Sequence, residues 1–433
     1  MKKEIVAALL LLVFIVGFGA GYVVRGPRAA PQETPSPTPA PQVGLSGEVL
    51  IGALEDLSGF LTTYGEDIKT AYEIAEEDVN AFLEKAGASW RIRIIHEDSA
   101  STPEIALEKF ESLVGKGIKI VLGPMMSPAC ASIRSYAEAH DVIFISPSST
   151  AVELSIPGDN LFRFCAIDDL QGPAIASAIF SSGITHIVSC YVDNDWGAGL
   201  DKSVSDKFIS LGGTVIEHIA FDPNTIEFTP TVDRIDSAVK SALNSGVPKE
   251  KIGVLLVCYR QVTDIFGIAS EYPDLASVRW FGTDGTVMLP DLVDLEEHPK
   301  ATEFALKTNF TSTMFKVPMT RAYKHVHDEI VKRLGREPTI YAYDAYDSVW
   351  IVTLALSIVN EYDAMKVKEI LPKVADIYIG ASGDIVLNEN GDLAIADYSL
   401  WRPVRTDDTV EWKEVGVYYA TLDEIEWSEG FAP

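Results

Sequence analysis

The sequence predicts an α/β protein with two doubly wound lobes, each built on a parallel sheet, and a hinge that the chain crosses several times. Two observations indicate this fold. Short β-rich runs alternate with helix-length segments from Gly47 onward, which is typical of βαβ units. A second series of the same kind begins after residue 167, and a chain of 433 residues is long enough to form two separate cores.

Each series supplies the strands of one predicted sheet. The first contains four apolar runs with amphipathic segments between them, and it ends in a fifth β-rich run at 162–167. We expect its strands at 48–54, 90–97, 118–122 and 142–146, and its helices at about 67–85, 104–115 and 128–140. The second series predicts strands at 186–192, 213–219, 252–259 and 278–281.

The C-terminal third differs in character from the two series. It predicts two amphipathic helices, at about 320–334 and 343–359, and a β-rich tail at 377–419 with a hairpin turn at 388–392. The tail is too short for a third domain, so we expect the helices to complete one lobe and the tail the other. The predicted lobes are 47–167 with 305–376, and 168–304 with 377–433.

The N-terminus predicts an extracytoplasmic protein. Lys2 and Lys3 precede an apolar stretch at 5–24, about the ~20 residues that span a bilayer as a helix. It is either a signal peptide or an anchor, and its length favours an uncleaved anchor over residues 1–26. The first cysteine is Cys130, too distant for the usual lipid attachment. Residues 27–46 contain the run PQETPSPTPAPQ, which predicts an extended stalk.

Charge and cysteine content narrow the class of protein. The net charge of −28 excludes a nucleic-acid partner, because phosphates require a basic surface. Cys165, Cys190 and Cys258 lie in apolar, strand-like runs, where buried free thiols are at least as expected as a disulfide. Cysteine usage therefore leaves the redox compartment open.

Polar residues follow two predicted strands of the first lobe, where ligands of open parallel sheets bind. Ser127 follows 118–122 and precedes Pro128, so it either caps the next helix or, with free N–H groups, receives a carboxylate. Ser148, Ser149 and Thr150 follow 142–146. They either begin a capping box or converge on a small ligand. In the second case, the Ser148 carbonyl accepts from an ammonium, and the Thr150 hydroxyl and amide donate to a carboxylate.

The second lobe adds an acid, and both lobes add aromatic side chains. Asp284 follows 278–281 and is either a turn aspartate or, in a closed cleft, the partner of a ligand ammonium. Tyr64 lies in the predicted loop after the first strand, and Trp196 and Tyr259 follow strands of the second lobe. Individually these rings are ordinary packing residues, but together they supply apolar walls for a small-molecule cleft.

These clusters, in this order, resemble the type I periplasmic binding proteins of ABC importers, specifically the leucine/isoleucine/valine-binding family. The resemblance covers essentially residues 47–419, and the ordered set is more specific than any member. The matching motifs are Leu57-Ser58-Gly59 with Tyr64-Gly65, Glu97-Asp98, Gly123 with Ser127, Ser146-Pro147-Ser148-Ser149-Thr150, Asp168-Asp169-Leu170-Gln171-Gly172, Gly197-Ala198-Gly199, Gly282-Thr283-Asp284-Gly285 and Tyr343-Asp344-Ala345-Tyr346-Asp347.

The resemblance implies a role for each candidate residue. Ser127, Ser148 and Thr150 match positions that hold the α-carboxylate and share in binding the ammonium, and Asp284 matches the acid that pairs with the ammonium. Tyr64, Trp196 and Tyr259 match positions that line the cleft. The family usually has tyrosine at position 196, so the indole changes the side-chain pocket. The resemblance thus implies a small α-amino acid, branched-chain or otherwise apolar, although the family also includes binders of amides, urea and aromatic acids.

The family's partners are an ABC permease and an ATPase on separate chains. Sensing is the competing function, since receptor ectodomains and amide-responsive regulators use the same fold. We expect no enzyme, cofactor or metal site, because the sequence has no Walker loop, no zinc-spaced cysteines and no Gly-x-Ser-x-Gly elbow. His325 and His327 point in different directions on a predicted helix, and Asp193-Asn194-Asp195 is interpreted as a strand-to-helix turn rather than a calcium loop.

Overall fold

The computed structural model describes residues 44–431. The predicted anchor at 1–26 and the part of the predicted stalk before residue 44 lie outside the described residues. Within the described part of the chain the α/β fold class is confirmed, with two parallel sheets and a third, antiparallel sheet.

The first sheet has five parallel strands in the order β2-β1-β3-β4-β5. Every residue of β3 and β4 is buried, as expected for a parallel sheet covered on both faces. The register of β1 and β2 is unbroken, from Gly47 opposite Trp90 to Glu55 opposite Asp98. The strands are β1 (Gly47–Glu55), β2 (Trp90–Asp98), β3 (Ile120–Leu122), β4 (Ile143–Ser146) and β5 (Leu161–Arg163).

Six helices pack around this sheet. The strand order reverses at β1, so the chain moves in one direction from β1 to β2 and in the opposite direction from β2 onward. Because crossovers between parallel strands are right-handed, the helix after β1 lies on one face of the sheet and the helices after β2 and β3 lie on the other face. Helix α1 packs against α9 and α10, whereas α2 packs against α3. The helices are α1 (Thr62–Lys85), α2 (Pro103–Gly115), α3 (Ser127–Ala139), α9 (Arg321–Leu334), α10 (Tyr341–Val359) and α11 (Ala364–Ala375).

The second sheet has four parallel strands in the order β7-β6-β8-β9. Strand β8 is buried along its whole length. Its strands are β6 (His186–Val192), β7 (Thr214–Phe221), β8 (Ile252–Val257) and β9 (Arg279–Phe281), and its helices are α4 (Asp168–Ser181), α5 (Asp195–Ser210), α6 (Thr229–Asn244), α7 (Gln261–Ala269) and α8 (Pro299–Lys307).

The third sheet is antiparallel and adjoins the second. A parallel bridge between Phe281 and Thr311 links the end of β9 to the residue before β10. The order is β10-β11-β12-β13, and the strands are β10 (Ser312–Phe315), β11 (Tyr398–Thr406), β12 (Thr409–Tyr419) and β13 (Glu424–Trp427).

Two chain crossings differ in position from the sequence expectation. Strand β10 pairs with β11, so the chain leaves for α9–α11 after Phe315 rather than near residue 305. The segment between α11 and β11 stays beside the first sheet, where Asp392 bridges to Arg163, rather than joining the second lobe. The predicted turn at 388–392 is present, with the Gly391 N–H donating to the Asn388 carbonyl. Sequence periodicity locates strands but does not show which distant strand each one pairs with.

The C-terminal helices form part of the core. Helix α10 is the one helix among the described residues that is long and apolar enough to cross a membrane, and it is largely buried against α1 and α11. Helix α11 was not predicted as a separate helix; Asp363 begins it by accepting hydrogen bonds from the N–H groups of Met365 and Lys366. All four cysteines are free and buried, the first of the two alternatives that the sequence left open.

Candidate functional site

A cavity lies between residues that follow strands of the first two sheets. It encloses about 420 Å³ of space between atoms, including its opening to solvent. All the predicted site residues line it except Ser149. The lining residues are Leu61, Tyr64, Met125, Met126, Ser127, Ser148, Thr150, Trp196, Tyr259, Asp284, Gly285 and Tyr341.

Ser127 contacts the neighbouring loop rather than capping its own helix. Helix α3 has Met126 at its N-cap and no side-chain capping bond, so the first of the two alternatives for Ser127, a helix cap, does not hold. Instead, Ser127 Oγ accepts hydrogen bonds from the N–H groups of Thr150 and Ala151, at 3.2 and 3.1 Å. These bonds use both lone pairs of the hydroxyl, so its proton remains to be donated elsewhere. The Thr150 amide, predicted to bind a ligand, is thereby already engaged.

The loop after β4 is fixed by its own serines. Ser146 Oγ donates to the Pro124 carbonyl at 2.7 Å, and Ser148 Oγ donates to the Met125 carbonyl at 3.1 Å. Ser149 is buried and is not among the residues that line the cavity, and its carbonyl accepts from Arg163 Nη1 at 3.4 Å. Side chains on alternate sides of an extended loop cannot all face one space.

Arg163 holds this loop from behind. Its guanidinium is fully buried and pairs with Asp392 at 2.6 Å. It also donates to the Ala151 carbonyl and to Ser155 Oγ, each at 2.7 Å. The buried pair therefore links the segment between α11 and β11 to the loop that presents Ser148 and Thr150.

Asp284 is the acid of the cavity. The turn around it is closed by threonines, with Gly285 N–H donating to Thr283 Oγ1 and Thr286 Oγ1 donating to the Thr283 carbonyl, so Asp284 is not required for the turn. Its Oδ2 accepts from the Tyr341 hydroxyl at 2.6 Å, whereas Oδ1 has no hydrogen-bond partner among the described residues. Burial raises the pKa of Asp284, and the bond from Tyr341 partly offsets that rise.

A second acid lies behind the cavity lining. Asp168 begins α4, is fully buried, and neither carboxyl oxygen has a hydrogen-bond partner in the described part of the chain. Burial and the neighbouring charge of Asp284 raise the pKa of Asp168 well above its usual range. No lysine or arginine is among the described residues that line the cavity. The site is therefore suited to a group that brings a positive charge.

Aromatic rings form the cavity walls. The Trp196 and Tyr259 rings stack with centroids 4.4 Å apart and planes 24° apart. Trp196 lies in the first turn of α5, which Asn194 caps by accepting from the Gly197 N–H, so the predicted strand-to-helix turn is confirmed. Gly285 allows the indole to approach, because a Cβ there would lie 2.8 Å from Trp196 Cη2.

Tyr64 lies in a helix, not in the predicted loop. Helix α1 begins at Thr62, and Gly65 in its first turn packs so close to β1 that a Cβ would lie 2.1 Å from the Asp56 carbonyl oxygen. Glycine disfavours helices, which is why the sequence placed this helix start later. The Tyr64 ring is 6.5 Å from that of Tyr341.

Five lining residues were not among the candidates. Met125 and Met126 directly precede the candidate Ser127, and Gly285 directly follows the candidate Asp284. Their position beside candidate residues could therefore have indicated that they line the cavity. Leu61 precedes α1, and Tyr341 begins α10. Only the tertiary fold brings the first turn of α10 to Asp284.

No cluster of three metal-binding side chains occurs within residues 44–431. The two histidines of α9 have separate partners, with His325 Nε2 contacting Asp78 at 2.8 Å and His327 Nε2 contacting Glu337 at 2.7 Å. They lie apart from the cavity lining.

Fold and site together define a protein with a cavity between two parallel sheets, and the sequence comparison specifies its family. Residues 48–407 match the periplasmic binding protein family, so this chain belongs to it. The chain is 30% identical to an uncharacterised protein of Methanocaldococcus jannaschii over 88% of this chain and 91% of that one. It is 25% identical to the Leu/Ile/Val-binding protein BraC3 of Rhizobium johnstonii over 82% of this chain and 91% of the relative.

Solved structures share the fold at low sequence identity. A leucine-binding protein of Thermotoga maritima superposes with a TM-score of 0.69 at 20% identity, covering 85% of this chain and 98% of that one. A solute-binding protein of R. palustris in complex with 4-hydroxybenzoate gives a TM-score of 0.71 at 15% identity, covering 86% of this chain and 97% of that one. The chain is thus a periplasmic binding protein with the type I fold, and its sequence is similar to that of Leu/Ile/Val-binding proteins.

Proposed function

We propose that this protein captures a small α-amino acid in the cavity between its two parallel sheets and delivers it to an ABC importer. The observation that supports this most directly is the buried Asp284 carboxylate, whose Oδ1 has no partner among the described residues. A buried charge without a counter-charge is unfavourable, and a ligand ammonium would supply both the charge and the missing N–H donor.

The opposite end of the ligand would meet hydroxyl groups. Ser127 Oγ has both lone pairs engaged by backbone N–H groups, so its remaining function is as a donor. The Thr150 hydroxyl lies beside it in the lining, whereas the Ser148 hydroxyl already donates to the Met125 carbonyl. A carboxylate accepts several such bonds, and the site therefore suits the two charged groups of an amino acid.

Aromatic acids fit the site less well. Structural neighbours bind 4-hydroxybenzoate and 3,4-dihydroxybenzoic acid. Such a ligand brings a carboxylate without an ammonium into a cavity whose described lining contains an acid and no base. The negative charge of the ligand would then be buried near the carboxylate of Asp284, with no positive charge to compensate it.

The remaining roles are proposed from the family. Two lobes close around the ligand, and we assign to them residues 47–167 with 305–376 and residues 168–304 with 377–433, except where the chain crosses at other positions. The closed form then docks on a permease that works with an ATPase on another chain. Residues 1–26 tether the protein on the extracytoplasmic side through the stalk at 27–46. The protein acts by binding rather than by catalysis.

Isothermal titration of the full-length protein in a mild detergent tests the ligand class. The panel is L-alanine, L-leucine, 4-hydroxybenzoate and urea. We expect saturable binding of at least one amino acid and none of 4-hydroxybenzoate or urea. Binding of 4-hydroxybenzoate alone would contradict the proposal and move the protein to another branch of the same fold.

A further inference from the structure

Three cationic side chains lie near one another where the second sheet meets the third. Arg279 begins β9, and its guanidinium carbon is 5.4 Å from the centre of the Phe281 ring, on the same face of that strand. Phe281 bridges to Thr311, and Thr311 Oγ1 accepts a 3.1 Å hydrogen bond from Arg402 Nε on β11. Lys413 of β12 stands directly opposite Arg402 in the antiparallel pair. The strand pairing therefore brings three positive charges together.

No ion pair joins any of the three to a carboxylate within residues 44–431. Arg402 donates to a threonine hydroxyl, and Arg279 and Lys413 lie over aromatic rings, which attract a cation but carry no net charge. The other buried arginine, Arg163, pairs with Asp392. The chain has 63 acidic residues, so the lack of a carboxylate beside this cluster does not follow from composition.

The two arginines are partly or largely removed from water. Arg402 is only 9% exposed, and its Nη2 group is buried without a hydrogen-bond partner among the described residues. Arg279 is partly buried, and its Nε is likewise buried without a partner in that part of the chain. Burial and the charge of Arg279 lower the pKa of Arg402 to about 10, so both guanidiniums stay charged at neutral pH. Two such charges are unfavourable here without a counter-charge.

We propose that Arg279 and Arg402, with Lys413 at the rim, form a binding site for a small oxoanion with two negative charges, such as sulfate or hydrogenphosphate. A guanidinium donates two parallel N–H groups to an oxoanion, so a pair of them supplies several charge-assisted bonds and their mutual repulsion is offset. Arg402 Nη1 and both Nη groups of Arg279 also make no hydrogen bond within residues 44–431, and they are not enclosed by protein atoms. An anion from solution can therefore reach them.

The site is separate from the ligand cavity and does not depend on the proposed function. None of its three cationic residues lines that cavity. A bound anion ties β9, whose following loop carries Asp284, to β11 of the third sheet.

Thermal unfolding of the full-length protein in a mild detergent tests the site. Millimolar sodium sulfate or sodium phosphate replaces sodium chloride at constant ionic strength. We expect each oxoanion to raise Tm by at least about 3 °C, because an anion that binds only the folded state stabilises it by mass action. The rise should saturate, whereas the general stabilisation by sulfate arises from its exclusion from the protein surface and does not saturate at such concentrations.

Substitutions locate the effect. Arg402→Met keeps a long apolar side chain and should abolish the rise, and Arg279→Met should reduce it to less than about half, since one of the two guanidiniums is lost. The matched control is Arg405→Met, also in β11, because Arg405 is exposed and pairs with Glu303; this variant should keep the full rise. Each variant is compared with itself with and without oxoanion, so a change in its own stability does not affect the result.

The outcomes decide the inference. If neither oxoanion raises Tm in the unaltered protein, the inference is overturned. It is also overturned if the rise is undiminished in Arg279→Met and Arg402→Met, or if Arg405→Met loses it to the same extent. If Arg402→Met does not fold, the comparison of Arg279→Met with Arg405→Met decides in the same way.

Discussion

The Tyr341 hydroxyl donates a 2.6 Å hydrogen bond to Oδ2 of Asp284, joining the first turn of α10 to the loop after β9. Both side chains are almost completely buried and line the same cavity. The bond fixes one oxygen of the carboxylate and leaves Oδ1 without a hydrogen-bond partner among the described residues. Because α10 packs on the first sheet and β9 belongs to the second, the bond also connects the two halves of the molecule.

Replacing the acid by its isosteric amide should remove most of the affinity for amino acids. Asp284→Asn keeps the shape of the side chain but loses a charge-assisted bond of about 1.5–3 kcal/mol, which corresponds to a roughly 10- to 150-fold higher Kd. Isothermal titration measures the change. The matched control is Asp195→Asn, an exposed acid one residue from Trp196 and outside the cavity lining. Equal losses in the two variants would show that Asp284 has no special role.

Removing the Tyr341 hydroxyl should have a smaller effect. Tyr341→Phe deletes a hydrogen bond to the carboxylate that is present in the protein without ligand as well as with it. Only part of its strength therefore appears in Kd, and we expect about 0.5–1.5 kcal/mol and a roughly 2- to 10-fold weaker Kd. The control is Tyr362→Phe, whose hydroxyl donates to the Leu50 carbonyl at 2.7 Å away from the cavity. That change should lower stability without altering Kd. A Tyr341→Phe variant with unchanged affinity would argue against orientation of Asp284 by this bond.

Amino-acid affinity should fall as the pH is lowered through the pKa of Asp284. Burial raises the pKa of this group in the empty protein, and a bound ammonium favours its ionised form. The empty protein therefore takes up a proton that the complex excludes, so affinity is full above the raised pKa and declines below it. Titrations across a pH series should show this decline, with a higher midpoint in Tyr341→Phe, because the bond from Tyr341 lowers the pKa. Asp284→Asn should lose the dependence; if it retains the full decline, another group is responsible.

The buried ion pair behind the binding loop should contribute strongly to stability. Arg163→Met leaves Asp392 buried without its partner, and removal of one member of a buried pair costs about 3–5 kcal/mol in the free energy of unfolding. Urea unfolding measures this loss. Arg234→Met breaks an exposed pair and should cost about 0–1 kcal/mol. A similar small loss at Arg163 would mean that the pair does not hold the Ser148–Thr150 loop.

The strands were readily predictable because their signal is local. Buried parallel strands such as β3, β4 and β8 are short, continuous apolar runs bounded by helix-length segments, and the structure has each of them within a few residues of its expected position. The same holds for the turn at 388–392, whose residues Asn388 and Gly391 have strong turn chemistry.

Long-range pairing was not predictable by these means. The partner of β10 is β11, which lies more than eighty residues later in the chain, and no periodicity encodes that choice. The start of α1 was missed for a related reason. Gly65 looks like a helix breaker in sequence, but its lack of a side chain is what allows α1 to approach Asp56.

The sequence predicted those residues of the candidate site that lie just after a strand, because that position alone brings them to the cleft. Ser127, Thr150 and Asp284 all follow strands whose carboxyl ends meet at one cleft. The Ser127 contact with the Thr150 loop and the Tyr341 contact with Asp284 depend instead on how distant elements pack. Sequence therefore indicated which residues line the cavity better than it indicated what each of them contacts.

Titration of the full-length protein shows directly whether the cavity binds both charged groups of an amino acid. The ligands are L-alanine and L-leucine, each beside the analogue without its ammonium and the analogue without its carboxylate. For alanine these are propionate and ethylamine, and for leucine 4-methylpentanoate and isopentylamine. We expect at least one of the two amino acids to bind. Each of its analogues should bind at least about tenfold more weakly, because either Asp284 or the hydroxyls of Ser127 and Thr150 lose their partner. Binding of an acid analogue as tightly as its parent amino acid would contradict the assignment of Asp284 to the ammonium.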